Sequence, residues 1–109
     1  DMAWLAFADS PDQALTPVGG VRFDRTGPGE AELAVEVRDD MQRRGIGTAL
    51  LRFACNRAQQ EGFQRLTATF RSENRGIWAL FKHSPFPVSW KLDGPEVNAV
   101  IDLTAQRRD

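Results

Sequence analysis

A chain of 109 residues with 41% apolar and 27% charged content has the size and balance of one soluble globular domain and argues against disorder. Its net charge of −1 makes no electrostatic case for nucleic acid or an anionic membrane, and no apolar run approaches the roughly 20 residues that span a bilayer. The single cysteine and single histidine exclude an internal disulfide and any Cys/His zinc spacing, so a metal-free, cytoplasmic protein is expected.

The first residues lack the basic start of a signal peptide, and Asp1 in place of Met is read as a trimmed N-terminus. "AWLAFA" (3–8) is a short apolar run that reads as a buried strand. "SPDQALTP" (10–17), bounded by two prolines, reads as a loop. "VGGVRFDR" (18–25) is a second strand, loosened at its start by Gly19 and Gly20, and "TGPG" (26–29) is a turn. "EAELAVEVR" (30–38) alternates cleanly, with Ala31, Leu33, Val35 and Val37 on one face and Glu32, Ala34, Glu36 and Arg38 on the other. Short links make these three strands an antiparallel meander.

The pattern then changes period. Thr48 to Glu61 is an amphipathic helix with Leu50, Leu51, Ala54 and Ala58 on one face, and Gly62 stands where a C-terminal cap belongs. Cys55 on this helix reads as a small buried hydrophobe, with a reactive thiol as the alternative. "RLTATF" (65–70) is another strand. "SENRGIWALFKH" (72–83) is a second helix, with Ser72 or Asn74 as N-cap and Ile77, Leu80 and Phe81 inward. "SPFP" stops it. The remainder reads as a hairpin around Asp93-Gly94. The order βββαβαββ predicts an α+β domain: one mixed sheet with two helical crossovers, spanning 1–109 without a linker or internal repeat.

The stretch "DDMQRRGIGTALLRFA" (39–54) carries the chemistry. A helix N-terminus presents unpaired N–H groups and about half a positive charge. Glycines there let a phosphate lie against bare backbone, and neighbouring arginines add charge-assisted hydrogen bonds. A solvated strand-to-helix turn is the plainer reading. A Walker loop is ruled out, because Thr48-Ala49 follows Gly47 where Lys-Ser/Thr is needed. The dinucleotide fingerprint fails as well, because Leu50 holds the place of its third small residue and three antiparallel strands precede the turn.

Gln42-x-x-Gly45-x-Gly47 resembles the Q/R-x-x-G-x-G/A motif of the GNAT superfamily of acyl-CoA-dependent N-acyltransferases. "AELAVEV" looks like that family's fourth strand, "RLTATF" its fifth, "ENRGIWALFKHSPF" its N-x-x-A-x-x-L-Y-x-x-x-G-F helix, and the closing hairpin its last two strands. Within the family the chain looks nearest to bacterial protein-lysine acetyltransferase domains. The resemblance implies acetyl-CoA as cosubstrate, with its pyrophosphate on the backbone of Arg43, Arg44, Gly45, Ile46, Gly47 and Thr48 beside Gln42. It also implies pantetheine pairing with the backbone near Val35 and Val37, and Asn74 reaching the pantetheine or its sulfur. A simple N-cap is the alternative role for Asn74. Two departures stand out. The family's first strand and following helices, which help form the acceptor site, have no counterpart, which implies either a truncated domain or another segment that supplies that wall. The tyrosine that often protonates the leaving thiolate falls at Phe81, in a chain with no tyrosine.

Acetyl transfer requires a neutral amine, which for a lysine of pKa near 10.4 costs about 4.6 kcal/mol at pH 7; a nearby base removes the proton. Glu32 resembles the catalytic glutamate of lysine-acetylating relatives, and Glu36 is its rival on the same face. A backbone N–H near Val35–Val37 would polarise the thioester carbonyl. His83 is read as a helix-end residue meeting the last carbonyls, with an acid or base role as the alternative; Trp4, Trp78 and Trp90 are read as core. The expected function is N-acetyl transfer from acetyl-CoA to a protein lysine or small-molecule amine by direct attack, with a homodimer allowed. The alternative is a non-catalytic acyl-CoA-binding or regulatory module.

Overall fold

The computed structural model describes residues 2–9, 15–37 and 45–106. Six strands and two helices follow in the order β1 (Met2–Asp9), β2 (Leu15–Gly27), β3 (Glu30–Val37), α1 (Ile46–Gln60), β4 (Arg65–Arg71), α2 (Arg75–Lys82), β5 (Val88–Asp93) and β6 (Glu96–Asp102). They form one mixed sheet of order β1-β2-β3-β4-β6-β5. The first three strands are the expected meander, and β3 pairs with β4 in parallel through the α1 crossover. The closing hairpin inserts its second strand beside β4 and leaves β5 outermost. Its two-residue turn is Gly94-Pro95, one position beyond the expected centre.

The inner strands β2, β3, β4 and β6 turn their buried apolar side chains to the same face. Val21 and Phe23, Ala31 and Leu33, Leu66 and Ala68, and Ala99 and Ile101 are all buried there, and Leu51, Ala54, Cys55 and Ala58 of α1 close over them with no exposure. Burial makes Cys55 the small hydrophobe its setting suggested. Phe81 of α2 joins the same core, so both helices pack on one face. The opposite face carries Glu32, Ala34 and Glu36 exposed.

The helix ends differ in chemistry. At its C-terminus α1 finishes with a 6→1 bond from Phe63 N–H to the Ala58 carbonyl and a 5→2 bond from Gly62 N–H to that of Gln59. This is a Schellman closure with Gly62 (φ 91°) one place past the cap residue Glu61. Asn74 rather than Ser72 caps α2, its Oδ1 accepting the Ile77 N–H at 3.2 Å. The helix is accordingly shorter than the sequence pattern suggested.

Two expectations need correction. The span 10–17 is not all loop: β2 starts at Leu15 and pairs with β1 as far as Asp9. Pro17 pairs with Phe7 just past the register shift between Ala6 and Phe7, an irregularity of the kind that admits a proline in a strand. Helix α1 also begins at Ile46 rather than Thr48, so Gly47 belongs to the first turn and not to the loop before it.

The β3–β4 ladder is short. It joins only Glu30↔Arg65, Ala31↔Leu66 and Glu32↔Thr67. At its closed end Arg65 Nε donates to Glu30 Oε1 at 2.8 Å, and Thr26 Oγ1 donates to Glu30 Oε2 at 3.1 Å. The Arg65 bond, followed by that of Thr26, holds the Glu30 carboxyl below its ordinary 4.5. A carboxylate with a depressed folded-state pKa stabilises above its unfolded pKa, and the contribution is lost as pH falls through the folded value. Thermal melts of Glu30→Gln should therefore show a midpoint below the parent at pH 7, and a difference that shrinks as pH falls below the ordinary carboxylate range. A difference that stays constant as pH falls would contradict an ionic clamp.

Candidate active site

Beyond Glu32 and Thr67 the two parallel strands separate. The Gly29 carbonyl accepts from Arg65 N–H, and the Ala31 carbonyl from Thr67 Oγ1, so odd-numbered residues of β3 direct their main chain toward β4. Alternation then puts the main-chain groups of Val35 on the edge that looks into the gap. The ladder to β4 has ended by that point, so at Val35 this edge can receive an extended, amide-bearing chain.

The gap passes through the sheet. A cavity of about 610 Å³ is bounded by Phe70, Phe81 and Ile77 from the helix side and by Glu32, Glu36 and Thr69 from the open side. A second cleft, of about 1110 Å³, runs along α2 to the start of α1. The two share Val35, Glu36, Asn74 and Ile77, so they form one path from the α1 N-terminus to the sheet opening.

At the far end of that path Gly45 caps α1 with φ 81° and ψ 0°. This left-handed conformation favours glycine, and a glycine cap brings no side chain to the first N–H groups of the helix. The first helical bond runs from Ala49 N–H to the Gly45 carbonyl at 3.0 Å, leaving the amides of Ile46, Gly47 and Thr48 in the open first turn. Gly47 is small for a different reason. A Cβ there would lie 3.3 Å from Leu80 Cδ1 and 3.5 Å from Val37 Cγ2, so its absence lets α2 and β3 approach the helix mouth. Gly45, Gly47 and Thr48 all line the larger cleft.

The candidate residues fall into place unevenly. Glu32 stands at the last rung of the ladder and lines only the sheet opening. Glu36 lines both cavities and so lies nearer the helix mouth. Asn74 borders both cavities while its Oδ1 serves as the α2 cap, so the two roles considered for it occupy one position. Gln42, Arg43 and Arg44 lie outside the described residues. Phe81 is nearly fully buried and also faces the opening. Its ring meets Phe70 at 5.8 Å and Trp90 at 6.0 Å, while Trp78 lies 4.7 Å from Trp90 and donates its Nε1–H to the Ser72 carbonyl. The aromatic wall behind the gap was not legible, because Trp90 arrives from the final hairpin. Trp4 packs on Phe23 and Phe53 toward the β1 edge of the sheet, on the same face.

Residues 2–84 match the family model described as the Acetyltransferase (GNAT) family. Over 78 residues the chain is 31% identical to L-methionine sulfoximine/L-methionine sulfone acetyltransferase of Pseudomonas aeruginosa, a match covering 70% of this chain and 45% of that protein. The chain thus spans less than half the length of this curated relative. Among solved structures, the GNAT domain of S. lividans PAT superposes with a TM-score of 0.69 at 27% identity, over 79% of this chain and 54% of that one. The PaiA N-acetyltransferase of Thermoplasma acidophilum, solved in complex with coenzyme A, superposes at 0.76 with 20% identity over 93% and 60% respectively. The gap that opens after three parallel rungs, the glycine-capped helix at its end and the match over residues 2–84 agree: this chain belongs to the GNAT acetyltransferase family.

Proposed function

We propose that the protein is an acetyl-CoA-dependent N-acetyltransferase that transfers an acetyl group directly to an amine. The observation that carries this reading is the continuous path from the α1 N-terminus, along Val35, to an opening on the exposed carboxylates. The fit is specific. The amides of Ile46, Gly47 and Thr48 at a positively polarised helix end suit a pyrophosphate, the Val35–Val37 edge suits the pantetheine amides, and Asn74 stands where the arm would enter the opening. Acetyl-CoA supplies the activated acyl group as a thioester.

The chain's own residues divide the remaining work. Glu32 on the open face takes the proton from the incoming ammonium, directly or through a water, lowering the cost of reaching the neutral amine. A main-chain N–H of the Val35–Val37 edge donates to the acyl oxygen, a fixed donor that costs no reorganisation. Phe70 and Phe81 form an apolar back wall that keeps the acyl end dry. With phenylalanine at position 81, the proton for the departing sulfur comes from water or from the ammonium itself. The amine enters from the open face because the helices cover the other. The Pseudomonas relative acts on methionine sulfoximine and sulfone, which supports including small amino-acid amines beside peptide lysines as acceptors. A non-catalytic acyl-CoA module would bind the same ligand without releasing thiol in the presence of any amine.

Two measurements test the reading. Gly47→Val should keep the far-ultraviolet spectrum of the parent and lower acetyl-CoA affinity more than tenfold by calorimetry, since its γ-methyls would crowd Leu80 and fill the helix mouth; unchanged affinity would contradict it. Glu32→Gln should leave acetyl-CoA affinity intact and slow steady-state thiol release about 10²–10⁴-fold at neutral pH, with partial recovery at high pH. That profile in Glu36→Gln instead would transfer the role to Glu36.

A further inference from the structure

The sequence offers one histidine, and the reading above gives it no task. His83 is the C-cap of α2 and is exposed. Its main-chain N–H satisfies the Leu80 carbonyl at 3.1 Å, so the helix-end role considered for it falls to the backbone. His83 does not line the opening where the thioester would lie. It does line the larger cleft, one turn beyond Leu80, whose side chain abuts the Gly47 position. Proceeding from the sheet opening, the cleft passes Asn74 and Ile77, then Leu80 opposite the helix mouth, then His83.

We propose that His83 is a phosphate-binding residue for coenzyme A: its imidazolium contacts the pyrophosphate or the ribose 3′-phosphate beyond the α1 N-terminus. The inference rests on the coenzyme A reading of the cleft. A phosphate arriving near the end of α2 meets the negative pole of that helix, and a cation at its cap residue reverses the unfavourable local field. Among the described residues that line the cleft, the charged groups are Glu36 on β3 and Arg75 in the first turn of α2. The lining residues of α1, β1 and β2 carry no charge, and Lys82 is exposed without lining the cleft. Arg75 is near the Asn74 end, so His83 is the cationic candidate at the phosphate end. Glu36, a like charge to the phosphates, makes such a cation more useful.

A phosphate contact made through a cationic imidazole strengthens binding at acid pH and is lost at alkaline pH. Calorimetry of coenzyme A binding to the intact chain should show affinity about tenfold tighter at pH 5.5 than at pH 8, the scale of one charge-assisted hydrogen bond. His83→Gln should bind like the parent at pH 8 and lose that dependence. His83→Arg should bind tightly at both values. Repeating the series with 3′-dephospho-coenzyme A locates the contact: a pH dependence that persists assigns the pyrophosphate, and one that disappears assigns the 3′-phosphate. The same pH dependence in His83→Gln as in the parent would overturn the inference and leave the coenzyme A reading standing. Failure of the parent to bind either nucleotide would remove both.

Discussion

Three rungs of parallel ladder between β3 and β4 are the constraint on which this molecule turns. Glu30, clamped to Arg65, fixes the strands at one end, and beyond Glu32 they part. A sheet whose two central strands separate would ordinarily be destabilised by the bare edge this leaves. Here the cost falls only on the facing inner edges of the two strands, because β2 pairs with β3 as far as Val37 and β6 pairs with the full length of β4. Each strand is held from its outer side, so the gap persists as a built feature. Strand order follows from the same need: a hairpin that laid β5 and not β6 against β4 would place a different set of side chains under the aromatic wall.

The gap also decides how the two faces of the sheet share the work. Both helices pack on one face and bury the core there, so a long ligand reaches the opening along α2 from the helix side. The other face leaves Glu32 and Glu36 exposed. The apolar wall of Phe70 and Phe81 and these exposed carboxylates border one opening from opposite sides of the sheet, which is the separation of acyl group from base that the proposed reaction calls for.

Much of this was legible in the residues and some was not. The alternation of 30–38, the switch to a 3.6-residue period at the glycine pair and the Asp93-Gly94 turn signal gave the element order, because each is a local pattern. The Gly45-x-Gly47 turn and the helix opening at Asn74 suggested the ligand through their resemblance to the family's motifs. Local pattern failed where distant packing decides. Gly47 looks like a loop residue until Leu80 is seen to fill the space its side chain would take. Pro17 looks like a strand breaker until it is seen paired with Phe7 beside a register shift. Phe81 reads as a missing tyrosine, whereas in the fold it is also a core side chain stacked toward Phe70 and Trp90. The parting of β3 from β4 is a long-range property, and no residue of either strand announces it alone.

Amide hydrogen exchange at Val35 tests the central claim most directly. Its N–H lies on the β3 edge that faces the gap, beyond the last rung to β4. An extended arm hydrogen-bonded along that edge would close it as a neighbouring strand does. Exchange at Val35 should be fast in the free protein and slow by at least tenfold in saturating coenzyme A, while Phe23, buried in β2, is unchanged. Tight binding of coenzyme A with no added protection at Val35 would show that the ligand lies elsewhere, and that the opening between β3 and β4 is not its seat.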